Sequence, residues 1–253
     1  MAGEKDGNPV AAGAETGGDF NEARYGKTRK DGRDFLVRDD RIRTMMELVR
    51  SSGAKSILDV GCTDGFMSMI FKELGLYTIG VDASAGAVET AKSQGRCDEA
   101  YVANLGDQRL PIPDASVELI WAGEVIEHIF DTESFAEELL RVTKPGGRLI
   151  LSTPNLASWI NRISLLLGAQ PFFTEIGVRP SNSGSFLRKV TEPAGHIRNF
   201  TPSSLKHLLT SCGWTFESRH GASIIQGGFR GIDRAISHAF PRLATDLVFV
   251  CRK

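Results

Sequence analysis

One stretch of 19 residues, SILDVGCTDGFMSMIFKEL from Ser56 to Leu74, constrains the fold of this chain more than any other. It opens with a short apolar run, Ser56 to Val60, and continues into a turn, Gly61 to Gly65, with glycine at both ends. Phe66 to Leu74 then has apolar residues at helical spacing, so the pattern predicts strand, turn and helix. Glycine lets a ligand approach the backbone closely, and a helix start offers free N–H groups. The turn is therefore predicted to bind a nucleoside-containing cofactor, with Asp59 beneath it.

A second apolar run, from Tyr77 to Val81, ends in an acid at Asp82, 21 residues after Gly61. In a strand-helix-strand unit, a carboxylate at this position can accept hydrogen bonds from both ribose hydroxyls of a nucleoside. The common nicotinamide pattern G-x-G-x-x-G is absent, because the glycines of the turn lie four apart with none between them. The two strands alone are compatible with either NAD or S-adenosylmethionine as the cofactor.

The turn resembles the first motif of the class I S-adenosylmethionine-dependent methyltransferases, D-x-G-x-G-x-G. Asp59, Gly61 and Gly65 match this motif, and Thr63 stands where the middle glycine usually is. The resemblance implies an α/β, Rossmann-like, doubly wound sheet of seven strands, with an antiparallel last strand and helices on both faces. It implies S-adenosylmethionine as the cofactor, bound through Asp59, Gly61, Cys62, Gly65, Asp82, Ala83, Asn104, Leu105 and Glu124.

Length and composition predict one domain. With 253 residues, of which 41% are apolar, the chain can bury one substantial core. We expect a disordered tail over residues 1–23 and a methyltransferase domain over 24–253, with a substrate-cap insertion at about 155–200. The four cysteines contain no C-x-x-C pair, which indicates a reducing compartment. No apolar run reaches the ~18 residues of a membrane span, so we expect a cytoplasmic protein.

The net charge of -1 hides an asymmetry between the two parts of the chain. Residues 54–150 carry 8 Lys or Arg against 16 Asp or Glu, whereas residues 151–253 carry 12 against 5. Two differently solvated faces would explain this difference. An anionic substrate under the basic C-terminal third would explain it equally well.

Apolar spacing, caps and breakers predict the remaining elements. Helices are expected at about 34–51, 84–93, 132–143, 156–168, 201–211 and 231–240, and strands at about 99–103, 117–121, 148–152, 214–219 and 247–251. Lys144 to Gly147 is predicted to end a helix and turn the chain. In the helix over 156–168, we expect Leu156, Trp159, Ile160, Ile163 and Leu166 to pack on the domain; the alternative is a helix that lies on a membrane or grips a lipid carrier.

The stretch EVIEHI, Glu124 to Ile129, follows the predicted fourth strand, where substrates of the resembled family meet the methyl group. His128 is the first candidate for a general base, and Glu127 and His196 are the other candidate catalytic residues. Glu124, Glu127 and His128 also fit the face of a helical metal site. Relatives with a similar E-x-x-E-H and a later histidine bind a divalent cation, although many family members use nearly the same pattern for capping and packing. A divalent metal is therefore an open but not favoured cofactor.

The combined prediction is a methyltransferase that acts on a hydroxyl of a small metabolite, which is anionic or carrier-linked. The runner-up is an RNA 2'-O-methyltransferase with a metal-assisted site, although aromatic residues are not interleaved with a basic patch as single-strand binding would require. A NAD-binding oxidoreductase, or a cofactor-binding protein without catalysis, are alternatives of another class. The expected partner is a small-molecule acceptor rather than nucleic acid, and the alternative for residues 156–173 is contact with a membrane surface.

Overall fold

A computed structural model describes residues 39–176, 194–225 and 227–253 of the chain. Its strands are β1 (Ser56–Val60), β2 (Tyr77–Asp82), β3 (Glu99–Val102), β4 (Val117–Gly123), β5 (Thr143–Pro154), β6 (Thr215–Ala222) and β7 (Asp246–Arg252). They form one sheet in the order β3-β2-β1-β4-β5-β7-β6. The first five strands are parallel, and β7 is antiparallel to both neighbours, β5 and β6. The predicted fold class is confirmed.

The direction of winding reverses at β1, which lies between β2 on one side and β4 on the other. In an open sheet of this kind, ligands bind beyond the carboxyl ends of the strands, where the order reverses. The end of β1 is where the glycine turn begins, so the sequence motif and the topology point to the same crevice.

The helices are α1 (Asp40–Ser51), α2 (Phe66–Glu73), α3 (Ala85–Ser93), α4 (Thr132–Val142), α5 (Trp159–Leu166), α6 (Pro202–Ser211) and α7 (Arg230–Ala239). Several begin at a side-chain cap, as expected for a polar residue that accepts from an orphan N–H. Asp39 caps α1, Ser84 caps α3, and Thr201 with Ser204 forms a capping box before α6. The predicted starts of α3 and α6 are confirmed, whereas α1 begins at Asp40; residues 34–38 of that prediction lie outside the described residues.

The core has two main layers, one on each face of the sheet. On one face, Ile57, Leu119 and Ile150 pack with apolar residues of α1 and α2. On the other face, Leu58 and Ile120 pack with apolar residues of α4 and α6. Because neighbouring residues of a strand point to opposite faces, both faces of these central strands are buried and the strands read as continuous apolar runs.

The predicted helix stop before Lys144 to Gly147 is confirmed, because α4 ends at Val142, but the strand begins earlier than predicted. Lys144 to Gly147 belong to β5, which starts at Thr143, directly after α4. Thr143 pairs with Val117 and Arg148 pairs with Leu119, so four residues of β5 bulge opposite one residue of β4. A Cβ at Gly147 would lie 2.7 Å from Thr143 Cγ2 and 2.9 Å from Glu118 O, which explains the glycine.

The prediction that the apolar residues of the helix over 156–168 pack on the domain is only partly confirmed. Leu156, Trp159 and Ile160 are half-buried, whereas Ile163 and Leu166 are 45% and 86% exposed. The helix is shorter than predicted, and its fully buried residues are the polar Asn161 and Ser164. Asn161 donates through Nδ2 to Asn155 O (3.1 Å) and accepts at Oδ1 from Phe172 N (2.7 Å). The helix is thus attached through hydrogen bonds to backbone groups, which apolar periodicity does not report.

Two expectations concern residues outside the described parts of the chain: the tail over 1–23, and the part of the predicted cap insertion between 177 and 193. Both stay predictions. Among the helices that the structure describes, none has the length and apolar character needed to cross a bilayer.

Candidate active site

The glycine turn after β1 is built from residues in the left-handed conformation. Gly61, Thr63 and Gly65 have φ of 72°, 49° and 77°. A Cβ at Gly61 would lie 2.8 Å from Val125 Cγ2, so this position requires glycine for space as well as for φ. Thr63, which departs from the motif, has a positive φ like the two glycines, at a cost of roughly 1–2 kcal/mol. The turn therefore keeps its shape despite the substitution.

Asp82 faces this turn from the end of β2. Its Oδ2 accepts from the backbone N–H of Thr63 (2.8 Å), and its Oδ1 accepts from that of Ser84 (2.8 Å). Each carboxylate oxygen has two lone-pair sites and can accept from more than one donor. Asp82 thus lies where the sequence predicts it, at the carboxyl edge of the sheet and next to the turn.

The other predicted cofactor residues follow the same edge. Ala83 lies after β2 and is half-buried; Asn104 and Leu105 lie just after β3, exposed and half-buried. Asn104 donates through Nδ2 to Asp107 Oδ2 (2.6 Å), so the donor side of its amide already has a partner. Cys62, within the turn, is buried and donates its backbone N–H to Val81 O (3.0 Å).

The candidate catalytic residues converge beyond β4. Glu127 and His128 belong to a 3-10 turn, Ile126–His128, and His196 comes from the segment before α6. The N–H groups of Ile197 and Arg198 donate to the backbone carbonyl of Glu127 (2.9 and 3.0 Å). The rings of His128 and His196 consequently lie 4.9 Å apart.

The hydrogen bonds of the two histidines assign the same tautomer to both. His128 Nδ1 lies 3.0 Å from Gly195 O, and His196 Nδ1 lies 2.9 Å from Phe173 O. A carbonyl oxygen only accepts, so each Nδ1 carries the hydrogen and each Nε2 presents a lone pair. These two Nε2 atoms lie 3.9 and 4.0 Å from Oε1 of Glu127.

Glu127 is 1% exposed, and its two carboxylate oxygens differ in their surroundings. Oε2 accepts from the Thr153 hydroxyl (2.9 Å), whereas Oε1 is buried and has no hydrogen-bond partner within the described parts of the chain. Burial, together with the charge of Glu124, raises the pKa of Glu127 well above its usual range. Oε1 is thus an acceptor that faces two imidazole lone pairs.

These three side chains fit a divalent cation. Their ligand atoms, Glu127 Oε1 and the two histidine Nε2 atoms, lie within 4.8 Å of one another. Zinc bonds of about 2.0–2.2 Å place tetrahedral ligand atoms roughly 3.4 Å apart, close to the separations found here. Each histidine also donates its other ring N–H to a backbone carbonyl, which is the usual support of a metal-bound imidazole.

Glu124 does not join this cluster, and the prediction that it shares a helical face with Glu127 and His128 is wrong. Its φ is +57°, so no helix runs through it. Its carboxylate forms an ion pair with Arg41 Nη1 (2.8 Å) and accepts from the Ser152 hydroxyl (2.9 Å). It lies instead between the ends of β4 and β5, on the side of α1.

Comparison with known proteins identifies the family. Residues 58–151 match the family model described as a methyltransferase domain. A probable S-adenosylmethionine-dependent methyltransferase of Mycobacterium tuberculosis is 30% identical over 206 residues, which cover 78% of this chain and 67% of that protein. This chain belongs to the S-adenosylmethionine-dependent methyltransferases. This family membership rules out the alternative that the chain is a NAD-binding oxidoreductase.

One further relative and one solved structure are similar to this methyltransferase. The mitochondrial ubiquinone biosynthesis O-methyltransferase of Schizosaccharomyces pombe is 32% identical over 196 residues, 69% of each chain. The crystal structure of an S-adenosylmethionine-dependent methyltransferase from Mesorhizobium loti superposes with a TM-score of 0.59 at 16% identity, over 86% of this chain and 100% of that one. The structural match shows the shared fold.

Arg41 and Asp246 are ionisable residues next to Glu124 that sequence reasoning missed. Arg41 projects from α1 toward Glu124 and lies 3.8 Å from Asp246, the first residue of β7. Asp246 is fully buried, and its burial and the charge of Glu124 raise its pKa well above the usual range. No local sequence pattern marks these residues, because they come close to Glu124 only through the packing of α1 against the sheet at the start of β7.

Asp59 makes the stability of the methyltransferase depend on pH. It is 2% exposed and accepts from the Ser68 hydroxyl at 2.6 Å, and burial raises its pKa from 3.8 to about 8. Between about pH 4 and pH 8 the folded state therefore binds more protons here than the unfolded state. The free energy of unfolding consequently falls as pH rises through this window, by up to about 1.4 kcal/mol per pH unit.

We expect Asp59→Asn to flatten this dependence, because the amide does not titrate. Urea unfolding of both proteins at several pH values between 5 and 8 measures it, and the difference between the two curves isolates Asp59 from other buried acids. Equal slopes for the wild-type protein and the variant would contradict the assignment.

Proposed function

We propose that this methyltransferase transfers the methyl group of S-adenosylmethionine to a hydroxyl of a small metabolite. The cofactor would lie across the carboxyl ends of β1 and β2, at the glycine turn and Asp82. The acceptor would lie at the cluster formed by Glu127, His128 and His196. The observation that carries this proposal is the convergence of two imidazole rings and one buried carboxyl oxygen of Glu127 beyond β4.

The reaction itself requires positioning and the removal of one proton. The hydroxyl oxygen attacks the methyl carbon, the carbon–sulfur bond breaks, and its electron pair returns to sulfur, which leaves as a neutral thioether. Holding the three atoms in line can supply about 7–11 kcal/mol of the barrier. The hydroxyl has a high pKa, so its proton needs an acceptor.

His128 is the best placed proton acceptor. Its side chain is 21% exposed, whereas that of His196 is 8% exposed, so His128 is the ring that an acceptor reaches first. The hydrogen bond to Gly195 O holds the proton on Nδ1, so Nε2 is the ring nitrogen that would take the proton of the hydroxyl. The carboxyl group of Glu127, whose Oε1 lies 3.9 Å from Nε2, would stabilise the imidazolium that forms.

A divalent cation, when bound by Glu127, His128 and His196, would supply Lewis-acid lowering of the pKa of the accepting hydroxyl. The residues of the chain would still perform the other tasks. Asp82 would bind the ribose of the cofactor, the glycine turn would orient the cofactor, and the Glu127, His128 and His196 cluster would limit the access of water to the acceptor. Because the cation would bind the same Nε2 of His128, it would replace His128 in promoting proton loss; the proposed acceptor class is unchanged.

Two observations support a small, anionic or carrier-linked acceptor of the O-methyltransferase type. The relative from Schizosaccharomyces pombe is named an O-methyltransferase of ubiquinone biosynthesis. The residues that follow His196 add positive charge: Arg198 donates to Phe130 O, and its guanidinium lies 5.2 Å from the centre of the exposed Phe130 ring. A cation beside an exposed ring suits an acceptor with both a carboxylate or phosphate and an apolar part.

A labelled-methyl assay tests the proposal. The protein is incubated with S-adenosylmethionine carrying a radioactive methyl group and with cell extract, which is then separated into metabolite, lipid, RNA and protein fractions. We expect label in the metabolite fraction, as the methyl ether of a hydroxyl compound, and at least about 10²-fold less label with His128→Ala. Label that appears only in RNA or only in protein would contradict the small-molecule acceptor.

A further inference from the structure

Two buried thiols face each other directly beneath the glycine turn. Cys62 lies within the turn and is 3% exposed, and Cys97 lies between α3 and β3 and is 8% exposed. A Cβ added to Gly80, in the strand between them, would lie 2.9 Å from both sulfur atoms. Because Gly80 has no side chain, both sulfur atoms can approach the same point above this strand, which brings the two thiols close to each other.

The environment makes the two thiols chemically different. The neighbouring Cys62 thiol, together with the charge of Lys72, lowers the pKa of Cys97 to about 7. The neighbouring Cys97, together with burial, raises the pKa of Cys62. Because the thiolate is the nucleophilic form, Cys97 would react first and Cys62 second. Burial raises the pKa of both other cysteines, Cys212 and Cys251.

The position of the pair links it to the shape of the turn. Arg96, next to Cys97, forms an ion pair with Asp64 (2.8 Å) and donates to the backbone carbonyl of Asp64 (2.9 Å). The turn therefore already rests on the segment that carries Cys97. A disulfide is about 2.05 Å long, which is far shorter than a hydrogen bond between thiols. Closing the pair would pull Cys62, and the turn with it, toward Cys97.

We propose that Cys62 and Cys97 are a modification site, a thiol pair that hydrogen peroxide converts to a disulfide and that thereby weakens cofactor binding at the glycine turn. The effect on binding rests on the proposed cofactor site, whereas the disulfide itself does not. The Cys97 thiolate attacks one peroxide oxygen, the O–O bond breaks, and a sulfenic acid and hydroxide form. The Cys62 thiol then displaces water from the sulfenic acid, so that two thiols and one peroxide give one disulfide and two waters.

Mass spectrometry and calorimetry test the proposal on the full chain. The reduced protein is treated with hydrogen peroxide, digested without reductant, and searched for the peptide pair joined through Cys62 and Cys97. Binding of S-adenosylhomocysteine is measured before treatment, after treatment and after dithiothreitol. We expect the linked peptides, at least tenfold weaker binding, and recovery of affinity on reduction.

Two variants separate this pair from other oxidation. Cys97→Ala is expected to retain binding after peroxide, whereas the matched variant Cys212→Ala should lose affinity as the wild-type protein does. If Cys97→Ala is poorly folded, the reversal of the wild-type effect by dithiothreitol still tests the pair. Absence of the linked peptides, or linked peptides with unchanged affinity, would overturn the proposal. A reduced wild-type protein that binds no S-adenosylhomocysteine would instead overturn the proposed cofactor site, and the peptide analysis would still decide whether the pair forms.

Discussion

Replacing Asp82 with alanine is expected to weaken the binding of S-adenosylhomocysteine by about 10²-fold or more. A hydrogen bond to a charged group is worth about 1.5–3 kcal/mol, and the carboxylate is proposed to accept from two ribose hydroxyls. The variant also releases the N–H of Thr63, which Asp82 holds at 2.8 Å. The left-handed Thr63 would then lose one of the contacts that keeps the turn in its shape. Isothermal titration calorimetry measures the loss.

Asp98→Ala is a matched control for this experiment. Asp98 also holds a backbone N–H of β2, that of Thr78 (2.7 Å), and it forms an ion pair with Lys72 (3.0 Å). It lies near the start of β2, at the opposite end of the strand from Asp82. We expect Asp98→Ala to lower the melting temperature and to leave affinity within about threefold of wild type. Equal affinities for Asp82→Ala and the wild-type protein would show that the ribose site is misplaced.

Removing the proposed divalent cation is expected to lower methyl transfer by about 10²-fold or more, because a cation can stabilise the accepting oxygen by several kcal/mol. The measurement compares turnover before EDTA, after EDTA, and after Mn²⁺ or Zn²⁺ is restored. Direct titration of the stripped protein with the metal, followed by calorimetry, gives a readout that does not depend on turnover. His196→Ala should abolish metal binding and prevent the restoration of activity.

His207→Ala serves as the control in this second experiment, because His207 is an exposed residue of α6 outside the cluster. It should bind metal and respond to EDTA as the wild-type protein does. Activity that is unchanged by EDTA and also unchanged in His196→Ala would remove the cation from the mechanism. His128 would then be left as the proton acceptor, which His128→Ala tests separately.

The parts of this molecule that sequence predicts well are those that depend on near neighbours in the chain. The glycine turn and Asp82 follow directly from two apolar runs and a β-α-β connection, and the structure brings them together through the pairing of β1 with β2. The cap of α6 at Thr201 is similarly local. In each case the residues that determine the conformation lie within a few positions of it.

The parts that sequence predicts poorly depend on distant contacts. Glu124 matches a helical spacing with Glu127, but its left-handed backbone and its ion pair with Arg41 take it out of the cluster. Asn161 holds α5 by its amide, so an apolar pattern in that helix predicts its buried face only in part. These outcomes are decided by the packing of α1 and by backbone groups far along the chain.

The segment that carries His196 is held by hydrogen bonds on both sides of the histidine. Backbone N–H groups on both sides of this histidine are held: Ala194 and Gly195 donate to the carboxylate of Glu175, and Ile197 and Arg198 donate to Glu127 O. The histidine is therefore registered to the sheet independently of how many residues connect positions 175 and 194. Changes in the length or sequence of that connection are expected to leave the position of His196 relative to Glu127 unchanged.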